Sequence, residues 1–366
     1  MALAPDELAT PDAEGGPDTD APLLEVTNLV QEFTVHDWGG GKAGVVHAVS
    51  DVSLTLQKGE TLGLVGETGS GKSTLARAIL QAPPPKSGSV RLRGTELVGL
   101  RRRALKNVRR HIQMVFQDPF NSLDPTWHVR PLVEEPLVAF GVGTRGERRA
   151  RADELLDLVG LDPARYGDRR PRELSGGQAQ RVAIARALAL DPSLIICDEP
   201  VSSLDVLIRA QVLNLLERLR SELSLSYLFI AHDLALVKQV SDRVMVMYMG
   251  KLVEVGPSQS LFREPLHPYT LALLHSIPKP DPTAAEPSVG GVIKGELPSP
   301  IDPPSGCRFR TRCPRAQEVC ATAEPPLRKL ADRHHAACHF PLSVDAPAPA
   351  QAATARGPSG EAGGSE

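Results

Sequence analysis

Residues Gly66, Glu67, Thr68, Gly69, Ser70, Gly71, Lys72 and Ser73 set glycine, lysine and a hydroxyl at the spacing GxxxxGK[ST]. Glycines at those places let consecutive backbone N–H groups turn inward on one anion, which a following helix faces with its positive end. The chemistry described is the cradling of nucleotide phosphates. Lys72 would reach the β- and γ-phosphates, and the Ser73 hydroxyl would ligate Mg²⁺. A glycine-rich turn alone would not carry that reading, but the flanks do. Thr61–Val65 reads as an apolar strand running into the loop, and Thr74–Leu80 as a helix leaving it.

Asp198 and Glu199 close a second apolar run, Leu194–Cys197. A buried strand would deliver Asp198 to the mouth of the loop, where a carboxylate holds Mg²⁺ through water. Glu199 points differently and can take a proton from the attacking water. In Leu174-Ser175-Gly176-Gly177-Gln178 the spacing S-x-x-Q is that of a capping box, and an alanine-rich helix follows through Leu190. Gly176 and Gly177 leave that helix end bare for an anion. One ATP has one γ-phosphate, so a second bare end suits the nucleotide of a second copy of the chain.

Cys307, Cys313, Cys320 and Cys338 are separated by 5, 6 and 17 residues. Zinc domains favour closer C-x2-4-C pairs, although His334, His335 and His339 could complete a Zn²⁺ site. Thiolates around a [4Fe–4S] cluster fit better. Cys313-Pro314 echoes a ferredoxin motif, and Arg308, Arg310, Arg312 and Arg315 would offset the negative core. Cys197 stands apart as a small apolar residue of its strand.

The elements that must position these groups are legible in outline. The 366 residues have room for two domains, and a formal charge of −3 argues against a nucleic-acid backbone as the main partner. No apolar run is long enough for a bilayer span, and Met1–Ala21 lacks the pattern of a signal peptide, so a cytosolic chain with reduced cysteines is expected. Residues 1–22 read as disordered, Val45–Leu56 as strands of a small antiparallel sheet, and Asp37–Lys42 as a flexible turn. The helix begun at Lys72 stops before Pro83-Pro84-Pro85. Ser89–Arg93 and Ile112–Phe116 read as strands, the second ending at Gln117. Residues from about 120 to 190 are helical, with Glu147–Val159 strongly amphipathic. Further strands are expected at Leu194–Cys197, Tyr227–Ile230 and Val244–Met247, and a helix at Val206–Leu223. This alternation implies a mainly parallel sheet covered on both faces. Arg101–Arg110, with six basic residues, is a solvated helix face or a contact for anionic lipid headgroups. After Ser276 prolines and then cysteines dominate, and from about Ser343 the tail reads as disordered.

Taken with Gln117, Ser202-Ser203-Leu204-Asp205 and His232, these motifs resemble the ATP-binding-cassette ATPases over roughly Leu23 to Val255. The resemblance implies an α/β P-loop NTPase core with an antiparallel β subdomain and a helical subdomain. It implies ATP and Mg²⁺ as ligands, with the phosphates held by Gly66 through Thr74, Mg²⁺ by Ser73, Gln117 and Asp198, and adenine stacked on Phe33, or on Trp38 or His47. Lys72, Gln117, Glu199 and His232 would serve hydrolysis. Ser175, Gly176, Gly177, Gln178 and Asp205 would face a partner cassette's ATP. Ala179 and Ser203 depart from the usual residues without removing a catalytic group.

Further on, Val255-Gly256-Pro257, His267-Pro268-Tyr269-Thr270, Ser276-Ile277-Pro278 and Gly295-Glu296-Leu297-Pro298-Ser299-Pro300 resemble the dipeptide/oligopeptide importer cassettes, of the second-cassette type. That resemblance implies a cassette over 23–260, a small cysteine-rich importer domain over 261–342 that carries an iron–sulfur cluster in related proteins, and a tail over 343–366. It also implies ATP-driven peptide uptake from the cytoplasmic face of the plasma membrane. The partners would be two permease subunits, a second cassette (non-identical or a copy) and, indirectly, an extracytoplasmic binding protein. Import of nickel or another small solute, a soluble ABC ATPase without transport, and a redox-sensing role for the cysteines are the alternatives. Only 125 residues separate Lys72 from Asp198, which leaves no room for the long coiled coil of the DNA-repair members.

Overall fold

The computed structural model describes residues 21–36, 42–276 and 295–342. The expected disorder before residue 21 and after 342, most of the 37–42 turn with Trp38, and the proline run from 277 to 294 lie outside these residues.

The strands are β1 (Leu24–His36), β2 (Lys42–Leu56), β3 (Thr61–Val65), β4 (Ser87–Leu92), β5 (Thr95–Glu96), β6 (Ile112–Val115), β7 (Leu194–Asp198), β8 (Ser226–Ala231), β9 (Arg243–Tyr248), β10 (Lys251–Pro257), β11 (Arg328–Ala331) and β12 (His334–Ala336). The helices are α1 (Lys72–Ile79), α2 (Arg102–Arg109), α3 (Pro119–Ser122), α4 (Val129–Phe140), α5 (Arg145–Leu158), α6 (Pro163–Tyr166), α7 (Gly176–Leu188), α8 (Val206–Leu223), α9 (Leu234–Val240), α10 (Ser258–Arg263), α11 (Pro268–His275) and α12 (Val319–Thr322).

Two sheets form. The smaller is antiparallel, in the order β2-β1-β4-β5. The larger has the order β11-β12-β10-β9-β3-β8-β7-β6, and β9 through β6 run parallel. Strands β3, β7 and β8 are buried at every residue, which is what near-continuous apolar strands covered on both faces require. Helix α1 buries Leu75, Ala76, Ala78 and Ile79 in the core shared by the two sheets. Helices α3 to α7 form the helical insertion over a second core, where α5 contributes Ala152, Leu155 and Leu156. Helix α2 buries none of its residues, as a solvated basic face predicts.

The edge of the large sheet differs from the expected pattern. Antiparallel β10 follows β9, and β12, from the cysteine-rich region, pairs with it through Glu254↔Ala336 and Val255↔His335. The same sheet thus crosses the boundary expected at 260/261. A buried carboxylate reinforces the junction: Glu254 accepts the N–H groups of Leu266 (2.7 Å) and His267 (2.8 Å) and meets His334 Nε2 at 2.8 Å. Phe309, 1% exposed, packs edge-on to Tyr248 and tilted on Tyr269, with ring centroids at 5.2 and 5.3 Å.

Candidate functional site

The C-terminal ends of β3, β7 and β8 converge, as ligand sites of open α/β sheets do. Between β3 and α1 the glycine loop turns as the sequence predicts. Gly71 caps α1 at φ 106°, and a Cβ there would lie 2.2 Å from the Ala48 carbonyl oxygen, so only glycine fits. No side chain caps α1, which leaves its first N–H groups for an anion. Lys72, 5% exposed, donates to the carbonyls of Gly66 (2.7 Å) and Glu67 (3.0 Å). Burial lowers its pKa, against the opposing pull of Glu199, Asp198 and Glu67. Its charge is therefore held inside the loop, aimed at the space a phosphate would fill.

The Ser73 hydroxyl donates to Asp198 Oδ1 at 2.9 Å, joining residues 125 apart in sequence. Burial raises the Asp198 pKa, and a cation bound there would reverse that shift. Ser73 and Asp198 thus present oxygen donors suited to Mg²⁺. The next residue leaves the strand abruptly. Glu199 lies at φ 49°, in the left-handed region, and its N–H donates to Ile230 O at 2.9 Å. That turn aims its carboxylate into the cleft, where Oε2 receives Gln117 Nε2 at 3.0 Å and lies 3.1 Å from His232 Nδ1. An open cleft of about 600 Å³ is lined by Thr68, Gln117, Asp118, Glu199, Ser202 and His232, among others. Gln117, Glu199 and His232, scattered over more than a hundred residues, are thus brought to one carboxylate.

The Ser175–Gln178 pair forms the expected reciprocal capping box. Gln178 N–H donates to Ser175 Oγ at 3.3 Å, and Ser175 N–H to Gln178 Oε1 at 3.0 Å. Gly177 packs so tightly that a Cβ would sit 2.3 Å from Ile208 Cγ2. This end does not line the cleft around Glu199. Asp205 caps α8 by accepting Ile208 N–H at 3.0 Å, and beside it Val206 and Leu207 are 76% and 77% exposed. Phe33 is 40% exposed on β1, whereas His47 is engaged with Glu32 at 3.1 Å.

With this geometry in place, comparison with known proteins is decisive. Residues 49–202 match the family described as ABC transporter, and residues 253–320 the one described as oligopeptide/dipeptide transporter, C-terminal region. The oligopeptide transport ATP-binding protein AppF of Bacillus subtilis is 50% identical over 320 residues, covering 87% of this chain and 97% of that one. The chain belongs to the ABC transporter family. Within it, this ABC ATPase is similar to the oligopeptide transport ATP-binding protein OppF of Escherichia coli, 48% identical over 327 residues (88% of this chain, 96% of that one). Two solved structures share the fold at lower identity. One is the dimeric post-hydrolysis state of the ATP-binding cassette MJ0796 bound to ADP and Pi, with TM-score 0.58, 30% identity, and 64% and 98% of the two chains covered. The other is cbiO1 of Clostridium perfringens, with TM-score 0.57, 29% identity, and 66% and 91% covered. The ABC ATPase fold and ATP-hydrolysing class read from the motifs therefore hold.

The four cysteines lie apart from the cleft around Glu199. Burial pushes the Cys307 thiol up to about 11 and the Cys338 thiol up to about 12, and charge on the other three would oppose ionisation of Cys338. Cys307 N–H donates to Cys320 O at 2.8 Å. The four share a neighbourhood, yet among the described residues no three His, Cys, Asp or Glu side chains are placed to hold a metal ion. Cys197 is fully buried in β7, as expected of a small apolar residue.

Sequence reasoning missed two residues beside the phosphate loop. Arg312 Nη1 reaches both carboxylate oxygens of Glu67, at 3.2 and 2.9 Å, and Tyr269 OH accepts the Glu67 N–H at 2.9 Å. Tyr269 was visible in the His-Pro-Tyr-Thr motif, and Arg312 among the arginines assigned to the cysteines, but neither signal names its partner.

Proposed function

We propose that this ABC ATPase is the energy-supplying subunit of a di- or oligopeptide importer. It would act at the cytoplasmic face of the membrane on two permease subunits, and with a second cassette, identical or not, closing over two ATPs. The observation that carries the reading is the cluster of Gln117, His232 and the Glu199 carboxylate at the mouth of a phosphate loop, in a chain whose 253–320 region matches oligopeptide/dipeptide transporters.

On this reading Lys72 exchanges the Gly66 and Glu67 carbonyls for phosphate oxygens, and Phe33 stacks on adenine. Mg²⁺, held by Ser73, Gln117 and Asp198, would supply charge neutralisation on the phosphates. Glu199 takes the proton of the attacking water as the water oxygen bonds to the γ-phosphorus and the bridge to the β-phosphate breaks. His232 and Gln117 orient that carboxylate. Ser175, Gly176, Gly177, Gln178 and Asp205 complete the partner's site, and exposed Val206 and Leu207 beside them give that contact apolar area. A groove of about 510 Å³ lined by Lys106, Phe116, Glu135, Phe140 and Arg186 lies next to Gln117 and suits a helix of the permease. Among the described residues no helix is long and apolar enough to cross a membrane, which fits a peripheral subunit.

Residues 23–260, with the helical part at about 120–190, form the cassette in this reading, and 261–342 the importer-specific part. There Cys307, Cys313, Cys320 and Cys338 would turn inward as thiolates on a [4Fe–4S] cluster, supported by their shared neighbourhood and by the charge of Arg315 on Cys313. No step of hydrolysis runs through it. Anaerobically purified protein is expected to hold about four irons and matching sulfide per chain. Zinc in their place would reassign the site, and an empty site would remove it.

The transport reading is tested by reconstituting the chain with its permease and binding protein in vesicles. ATP-dependent uptake of labelled peptide is expected. ATP hydrolysis coupled to nickel uptake would move the substrate alone, and ATPase activity indifferent to the permease would favour a non-transport ATPase.

A further inference from the structure

A loop built to bind a triphosphate carries an acid of its own. Glu67, second in the loop, brings a negative charge within reach of Lys72, at the place where polyphosphate must settle. Left free, that carboxylate would repel the ligand and compete for the lysine. In the fold it is not free. Its oxygens face Arg312, whose side chain is only 9% exposed, and Arg312 is in turn braced by Tyr248, with Nη1 at 3.4 Å from the hydroxyl and the guanidinium 5.9 Å from the ring. The Glu67 N–H, which would otherwise be free to turn inward with the other loop donors, points to Tyr269 OH. Tyr248, Tyr269 and Phe309 pack against one another, so the clamp stands on a rigid aromatic base. Arg308 adds a second tie from the same segment, donating to Met249 O and, at 2.9 Å, to Ser50 Oγ.

We propose that Arg312 and Tyr269, both from the region beyond the cassette core, are positioning residues for ATP binding: Arg312 neutralises the Glu67 carboxylate and holds it outward, and Tyr269 fixes the backbone from which it hangs. The proposal rests on the ATP-binding reading of the loop. It gives the C-terminal region a part in nucleotide affinity whatever the cysteines bind. Arg312 touches neither substrate nor reacting atoms, so its effect belongs in affinity and not in the chemical step.

The test measures ATP affinity of the purified full-length chain by isothermal titration, with thermal melting alongside. Arg312→Gln is expected to weaken ATP about 2- to 30-fold, the range of couplings carried through one packed contact. The decisive variant is the double Glu67→Gln/Arg312→Gln. With the acid gone the arginine is no longer needed, and affinity returns to that of Glu67→Gln alone. A merely structural arginine would not be rescued this way. In the assembled ATPase, Arg312→Gln should raise KM and leave kcat unchanged.

Arg312→Gln with wild-type affinity would overturn the proposal, as would a double variant no better than Arg312→Gln. Should Arg312→Gln not fold, Tyr269→Phe keeps the ring packing and removes the hydroxyl. A loss of about fivefold is expected, the value of one hydrogen bond, and unchanged affinity would overturn the backbone half of the proposal. A wild-type chain that binds no ATP would instead sink the reading of the loop itself.

Discussion

Helices α1 and α7 both carry glycine at the N-terminus, and they are finished in opposite ways. Helix α1 has Gly71 as its cap, no side chain spent on its own N–H groups, and a ring of chemistry around it: Lys72, Ser73, Asp198 and, across the cleft, Glu199. Helix α7 has Ser175, which spends its hydroxyl on the Gln178 N–H, and its two glycines pack against Leu204 and Ile208. The first end can bind and act on an anion with what the chain supplies. The second offers donors, and the acid next to Leu204 in the chain, Asp205, spends its carboxylate on the Ile208 N–H. A helix end of that kind contributes only to a site that something else has built, so the pair argues for two half-sites in trans more strongly than either motif alone.

The largest expected effect falls at the first end. Glu199→Gln keeps the shape and the Gln117 and His232 contacts while removing the base, and turnover should fall about 10²- to 10⁴-fold with ATP still bound. Trapped nucleotide in a filter assay, together with phosphate release, reads both. A Glu199→Gln variant that hydrolyses at the wild-type rate would put the base elsewhere and make the two ends more alike than they look.

How much of this could be read beforehand follows the same divide. The glycine loop, Ser175–Gln178 and α8 are local patterns, and each was legible because glycine geometry, a capping box or a 3.6-residue period acts within a few neighbours; the expected bounds of α8, Val206–Leu223, are the observed ones. Asp198 and Glu199 were legible through the apolar strand that carries them. The strain at Glu199 was not, since a φ of 49° is imposed by the β8 carbonyl it meets. The pairing of β12 with β10 was hidden because three residues give no period, and the partner strand is 80 positions away. The Arg312–Glu67 pair spans 245 positions, where charge pattern says only that arginines need some acid. The cysteine spacing suggested ligands, but spacing alone does not say where each side chain points, although the other three cysteines all lie close enough to act on Cys338.

A second prediction separates the supports of the two ends. Tyr269, which braces Glu67, receives its own backbone anchor from His267, whose Nδ1 accepts the Tyr269 N–H at 3.1 Å. Burial pushes the His267 pKa down to about 4, although the Glu254 carboxylate pulls the other way. An imidazole neutral in the fold and protonated when unfolded means that the unfolded chain binds more protons between about pH 6.5 and 4. Stability is therefore full above that window and declines as pH falls through it, by up to about 3 kcal/mol. Protonated Nδ1 also ceases to accept, so acid should loosen Glu67 and weaken ATP binding while the Ser175 cap is untouched. Melting curves against pH check this. His267→Asn, which caps without titrating, should remove this part of the decline, and an unchanged decline would assign the acid sensitivity to another group.

The smallest effect tests the second end directly. Ser175→Ala deletes the hydroxyl that the Gln178 N–H uses, and the loss of such a cap costs about 1 kcal/mol. Tight packing of Gly177 on Ile208 should keep the rest of α7 in place. Because Ser175 lies outside the cleft of its own chain, the ATP affinity of the isolated chain should not change, whereas turnover of the paired cassettes should fall. Ser175→Asn restores the cap without the hydroxyl. It should recover the melting temperature but not the turnover, which separates helix stability from contact with the partner's phosphate. If Ser175→Ala instead weakens ATP binding by the single chain, the second end belongs to the chain's own site. The division of labour between α1 and α7 would then be wrong, because a cap that acts in cis leaves no reason for a second cassette to supply it.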